Sequence, residues 1–204
     1  TKLDQGITAP NIQTINLTNF SRKIINQYSE DATELGLKLS FKSKISKDLY
    51  ISTDPRLLER ILRNLISNAL KFTDKGGVRV RLKSTTDSVI LSVIDTGKGI
   101  PNKLQEVIFE EFSQIPSKNE LIENSGAGLG LSIAKRLTSK IGGELIIRST
   151  ENLGSIFSIR LPADYAKPHK SKATELEQAL EQTIIPQITP VSYTHLTLPT
   201  TTIV

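Results

Sequence analysis

A change of hydrophobic period in mid-chain constrains the fold more than any other feature. From Asp54-Pro55 onward, apolar residues recur at Leu58, Ile61, Leu62, Leu65, Ile66 and Ala69. This is one face of a helix that starts with an acidic N-cap and a proline in the first turn. After the turn Lys75-Gly76-Gly77 the period drops to two, with Val78, Val80 and Leu82, then Val89, Leu91 and Val93. That alternation predicts two strands of a hairpin with one buried face each. One-sided strands beside a one-sided helix point to a helix layer packed on a sheet.

The rest of the chain extends the same plan. Leu17, Phe20, Ile24, Tyr28, Ala32 and Leu35 form a helical stripe closed by Gly36. Leu37, Leu39 and Phe41 alternate as in a strand, and a short strand is expected over Leu49 to Ser52. Leu129 to Ile141 is apolar at helical spacing and stops at Gly142-Gly143. Leu145 to Arg148 and Ser155 to Leu161 read as a last strand pair, joined by Glu151-Asn152-Leu153-Gly154. The expected fold class is α/β, a two-layer sandwich whose mixed, mostly antiparallel sheet carries helices on one face. Residues 17–162 form this domain. In 163–204 the prolines Pro186, Pro190 and Pro199 and a Thr-rich end deny a short helix over Ala173 to Ile185 any core. Val191 to Val204 reads as non-native material. With no Met and a start at Thr1, the chain is expected to be a fragment.

Composition removes several function classes. There is no cysteine, hence no disulfide, thiolate metal site or thiol nucleophile. No window approaches the roughly 20 apolar residues of a membrane span. The net charge of +5 comes from Lys and Arg dispersed among acids, and aromatics are only 5%. That pattern argues against a nucleic-acid interface and for a mildly basic surface attractive to a small polyanion.

Three short motifs carry chemistry, in a fixed order. Asn64 and Asn68 lie four residues apart, so their side chains share a helix face. A neutral amide oxygen suits Mg²⁺ when phosphate oxygens and water complete the octahedron. Lys71 follows one turn later, within reach of phosphates. Asp95-Thr96-Gly97-Lys98-Gly99 ends an apolar strand; the carboxylate can accept from an exocyclic amine, and the glycines let backbone pass close to a flat base. Gly126-Ala127-Gly128-Leu129-Gly130-Leu131 leads into a helix whose first N–H groups can meet phosphate oxygens. A dinucleotide fold does not fit, because this glycine run comes late and not after a first strand. A Walker A lysine is also missing.

The ordered trio resembles the N, G1 and G2 boxes of the catalytic ATP-binding domain of sensor histidine kinases, a Bergerat-type ATP-binding fold. Ile108-Phe109-Glu110-Glu111-Phe112 resembles that family's F box, and the likeness runs from Leu17 to Pro162. Thr1 to Gly6 resembles the last turn of the helical hairpin that precedes such domains, which makes 1–16 the end of that hairpin and a linker. The resemblance implies ATP and Mg²⁺ as cofactors. It makes Asn68 the metal ligand, Asn64 its support, Lys71 a phosphate contact and Phe72 a neighbour of the nucleotide. Asp95, with Gly97, Gly99 and Ile100, would recognise adenine. Gly126, Gly128, Leu129, Gly130 and Leu131 would hold the phosphates beneath a lid over Ser113 to Ser125, whose only basic residue is Lys118. Phe109 and Phe112 either latch that lid or pack on the core.

Hydrolases that share this pocket place a Glu where Asn64 stands, and an amide is a far weaker base. Asn64 therefore favours transfer to another nucleophile over hydrolysis. His169 and His195 lie in the tail without the helical context of an acceptor. The implied partners are ATP, a helical phosphoacceptor domain of the same parent kinase and a response-regulator receiver domain, in the cytoplasm, with no nucleic acid and no direct membrane contact. The alternative readings are a nucleotide-binding regulatory module without transfer, and a hydrolytic ATPase.

Overall fold

Residues 9–45, 49–110 and 129–162 are described by the structure, a computed structural model. All belong to the first of the two units into which the chain divides, Thr1–His169. The tail, the lid over 113–125, Phe112, Lys118, Gly126 and Gly128 lie outside the described residues.

The helix predicted from Asp54-Pro55 is α3 (Pro55–Lys71). Asp54 caps it by accepting from Arg56 N and Leu57 N, and Pro55 occupies a first-turn position that has no N–H partner to lose. Its buried row is Leu58, Ile61, Leu62, Leu65, Ile66, Ala69 and Leu70. The predicted hairpin is β4 (Gly77–Ser84) against β5 (Ser88–Asp95). Glycine at Gly142 closes α4 (Gly130–Lys140) in a left-handed conformation, after which β6 (Glu144–Thr150) and β7 (Gly154–Pro162) pair antiparallel.

With β2 (Lys38–Ser43), these strands form a five-stranded sheet in the order β2-β4-β5-β7-β6. Only β2–β4 is parallel. Rows of cross-strand neighbours build one apolar face, with Val80 opposite Val93 and Val93 opposite Phe157, then Leu82, Leu91 and Ile159 one step along. These residues and the buried row of α3 belong to one core, which also takes in Ala134 and Leu137 of α4. The two-layer α/β sandwich is as expected from the sequence.

Three details differ from the sequence reading. The stripe from Leu17 to Leu35 is two helices, α1 (Leu17–Asn26) and α2 (Ser29–Glu34). The break falls where Gln27 N and Tyr28 N bond three residues back, to Ile24 O and Ile25 O, while Arg63 of α3 hydrogen-bonds Gln27 and stacks on Tyr28. Leu35 consequently lies outside the core, 56% exposed. Secondly, the stretch read as linker contains β1 (Gln13–Asn16), antiparallel to β3 (Tyr50–Thr53) in a separate two-stranded sheet. Its sequence has too few residues for a period to show. Thirdly, three of the cations share one face of the sheet. Arg79, Arg81 and Lys83 alternate with the buried Val78, Val80 and Leu82, so all three lie on the sheet face turned away from the helices.

Candidate functional site

Alternation along β5 decides where Asp95 points. Val89, Leu91 and Val93 face the helix layer, and Asp95 is the next residue of that series, at the strand end opposite Val78. It is 8% exposed. Its Oδ1 accepts from Gly97 N at 2.9 Å and from Ser155 N at 3.1 Å. Burial pushes the carboxyl above its ordinary value, and the two backbone hydrogen bonds work against that shift. Both N–H groups meet Oδ1, and among the described residues no hydrogen bond is made to the second oxygen, which can accept from a ligand.

The glycines beside Asp95 are demanded by close packing. A Cβ on Gly97 would sit 2.2 Å from Phe72 O, at the C-cap of α3. Gly99 has φ 64°, and a Cβ there would lie 2.0 Å from Thr150 O at the end of β6. No other residue fits either place without displacing backbone. Lys98 N donates to Phe72 O at 3.2 Å, which ties the loop to the end of α3. Ile100 is buried and continues the loop inward.

Asn64 and Asn68 are half-buried on α3 and face the start of α4. Asn64 Nδ2 donates to Gly130 O at 3.2 Å. A Cβ on Gly130 would lie 3.7 Å from Asn68 Nδ2 and 4.0 Å from Asn64 Cγ, so glycine keeps the helix start against both amides. Leu129 is the N-cap of α4; its carbonyl accepts from Ile133 N and Ser132 Oγ, and Leu131 packs against the core. At the far end of α3, the Lys71 ammonium lies 5.3 Å from the ring centroid of Phe72, which is 49% exposed. Phe109 packs on the core beneath Lys135, whose ammonium is 5.0 Å from the ring.

Asn64, Asn68, Phe72, Gly97, Asp95, Ile100, Leu129 and Gly130 thus belong to one contiguous run of contacts. Sequence reasoning missed the contribution of β6 and β7. Ser155 orients Asp95, Ser149 Oγ lies 3.0 Å from Ser155 Oγ, and Gln105 donates to Ser149 O at 2.9 Å. Gly154-Ser155 was visible as part of a closing pattern, but nothing local signals that its N–H reaches a residue 60 positions away.

Among the described residues no group of three or more His, Cys, Asp or Glu is gathered to hold a metal ion. The donors nearest the start of α4 are neutral amides. They suit Mg²⁺ provided anionic oxygens arrive with a ligand, as a triphosphate would supply them.

Layer order and site together define the class, a two-layer α/β domain of the Bergerat type. Residues 53–165 match the family described as Histidine kinase-, DNA gyrase B-, and HSP90-like ATPase, and the chain belongs to it. Within that family its likeness is to sensor histidine kinases. It is 44% identical over 110 residues to the sensor protein TorS of Escherichia coli (strain K12), which covers 53% of this chain and 11% of TorS. Full-length ShkA in complex with AMPPNP is similar with a TM-score of 0.71 at 28% identity, over 82% of this chain and 34% of that one. The nucleotide-free catalytic domain of histidine kinase ThkA is similar with a TM-score of 0.65 at 26% identity, over 74% of this chain and 97% of that one. ThkA is also known in complex with the response regulator protein TrrA.

Proposed function

We propose that residues 17–162 bind ATP with Mg²⁺ and donate the γ-phosphate to a histidine on a separate helical phosphoacceptor domain of the same parent kinase, as the first step of two-component signalling. The observation that carries this reading is that Asp95, the Asn64–Asn68 face and the start of α4 are linked by a chain of contacts through Gly97 and Phe72. Asp95 would accept from the exocyclic amine of adenine, with Gly97, Gly99 and Ile100 shaping the base site and Phe72 against the nucleotide. The phosphates would lie toward the start of α4, at Leu129, Gly130 and Leu131, with Gly126, Gly128 and Lys118 contributing from outside the described residues. Lys71 would neutralise phosphate charge.

Asn68 would hold Mg²⁺, with Asn64 in support; the ion supplies charge neutralisation at the transferring phosphoryl group. What the protein adds is in-line positioning. Asn64 supports transfer over hydrolysis because a neutral amide is a far weaker base for water than a carboxylate; its Nδ2 instead donates to Gly130 O and braces the start of α4. The acceptor hairpin, of which 1–16 would be the end and linker, and a response-regulator receiver domain would be the protein partners, in the cytoplasm, without nucleic acid and without direct membrane contact. Among the described residues no helix is long and apolar enough to cross a membrane. A second reading, nucleotide binding without transfer, is favoured by one feature: Lys118 is the only basic residue in the lid sequence.

Calorimetric titration with ATP and GTP, with and without Mg²⁺, tests the binding step. Incubation of the loaded domain with a supplied histidine-bearing helical hairpin tests transfer. Mg²⁺-dependent binding of ATP over GTP followed by labelling of the hairpin supports the proposal. Tight ATP binding with no labelling overturns the kinase reading.

A further inference from the structure

The geometry points to Ser149 and Gln105 as positioning residues that set the ATP-over-GTP preference of the Asp95 site, an inference that rests on the nucleotide-binding reading above. Both act on the backbone of Ile100, the residue that closes the glycine loop. Ile100 N donates to Ser149 Oγ at 2.8 Å, and Ile100 O accepts from Gln105 Nε2 at 3.0 Å. The peptide groups on either side of one buried residue are therefore held by two side chains from elsewhere.

Both side chains are themselves anchored on the β6–β7 hairpin. Gln105 Nε2 also donates to Ser149 O at 2.9 Å and to Asn102 Oδ1 at 3.0 Å. Its two N–H groups are shared among three acceptors, two of them main-chain carbonyls, so only the amino end of the amide fits there. Ser149 Oγ donates to Gly154 O at 3.0 Å and lies 3.0 Å from Ser155 Oγ. Further along the same loop, Asn152 N donates to Lys98 O at 2.6 Å.

The hairpin thereby controls two things at once. Through Ser155 N it orients the Asp95 carboxylate, and through Ser149 and Gln105 it places the loop that passes the base. A carboxylate discriminates an amine from a carbonyl on the base only while the base is held in one place against it. If the loop drifts, that selectivity fades before the carboxylate itself is lost.

The test is calorimetric titration of ATP and GTP into the whole chain and its variants Ser149→Ala, Ser149→Thr and Gln105→Glu. Ser149→Ala removes the acceptor of Ile100 N–H. Gln105→Glu keeps the shape but sets a carboxylate oxygen against carbonyls. Each should weaken ATP about 5- to 20-fold, the scale of one or two lost hydrogen bonds. GTP binding should change less, so the ATP-to-GTP ratio falls. Ser149→Thr, which keeps the hydroxyl, should restore both. Amide exchange at Ile100 gives a second measurement, independent of ligand: Ser149→Ala should remove its protection and Ser149→Thr retain it.

Unchanged ATP affinity in both disruptive variants would overturn the inference. So would equal losses for ATP and GTP, which mark general structural damage, or an Ile100 amide equally protected in Ser149→Ala. If the unaltered chain binds no nucleotide, the proposed function fails and takes this inference with it.

Discussion

Asp95→Asn separates recognition from folding at the centre of the site. Asparagine keeps an oxygen where Oδ1 accepts from Gly97 N and Ser155 N, so both backbone bonds survive. The second oxygen becomes an amino group, a donor turned toward the donor amine of adenine that the proposed function places there. The loss is one charge-assisted hydrogen bond, about 1.5–3 kcal/mol, equivalent to about 10- to 150-fold weaker ATP binding. Stability should change little, because burial already disfavours the charge on Asp95 and the substitution removes it. A shift under about 4 °C in melting temperature is expected for a stability change within about 1 kcal/mol. Calorimetry with ATP in excess Mg²⁺ reads the first quantity and thermal denaturation the second. ATP binding equal to that of the unaltered chain would refute the argument. A large fall in melting temperature with unfolding would refute it in the other direction, by making Asp95 a structural residue. The pH dependence follows from the same shift. The native state keeps the Asp95 proton to higher pH than the unfolded chain, so its contribution to stability falls as pH rises through that window. ATP binding, which under the proposed function needs the carboxylate, should weaken as pH falls through the raised value.

Other outcomes follow from single features. Gly99→Ala forces a Cβ against Thr150 O at a left-handed φ and should weaken ATP at least about tenfold while leaving the far side of the domain folded, as amide exchange would report. Asp54→Ala removes the α3 cap together with the partner of Asn11 N and should cost about 2 kcal/mol in urea denaturation. Burial pushes the Asp54 carboxyl up, but hydrogen bonds from Asn11 N, the Arg56 side chain, Leu57 N and Arg56 N outweigh it and hold the carboxyl below its ordinary value. Its stabilisation is therefore present above the unfolded pKa and lost as pH falls through the lowered folded one, which acid titration of the Asp54→Ala variant against the unaltered chain should reveal. Leu65→Ala, at 1% exposure in the middle of the core, should cost about 3 kcal/mol by the same denaturation.

What could be read from the sequence was whatever depends on neighbours in the chain. The period of 3.6 from Leu58 to Ala69 and the period of 2 through Val78–Leu82 and Val89–Val93 are local, and they became α3, β4 and β5. Asn64 and Asn68 share a face because a helical turn is short, and Gly97 and Gly99 announce a tight loop because few residues accept one. Family membership followed from the order of those motifs. Only the tertiary structure decided the strand order β2-β4-β5-β7-β6, the pairing of Gln13–Asn16 with Tyr50–Thr53, and the break between α1 and α2. It also gave Ser149, Ser155 and Gln105 their place around Asp95. Each of these depends on residues far apart in the chain. Hydrogen bonds such as Ser155 N to Asp95 Oδ1 form only after the sheet has closed, and a one-dimensional pattern carries no trace of them.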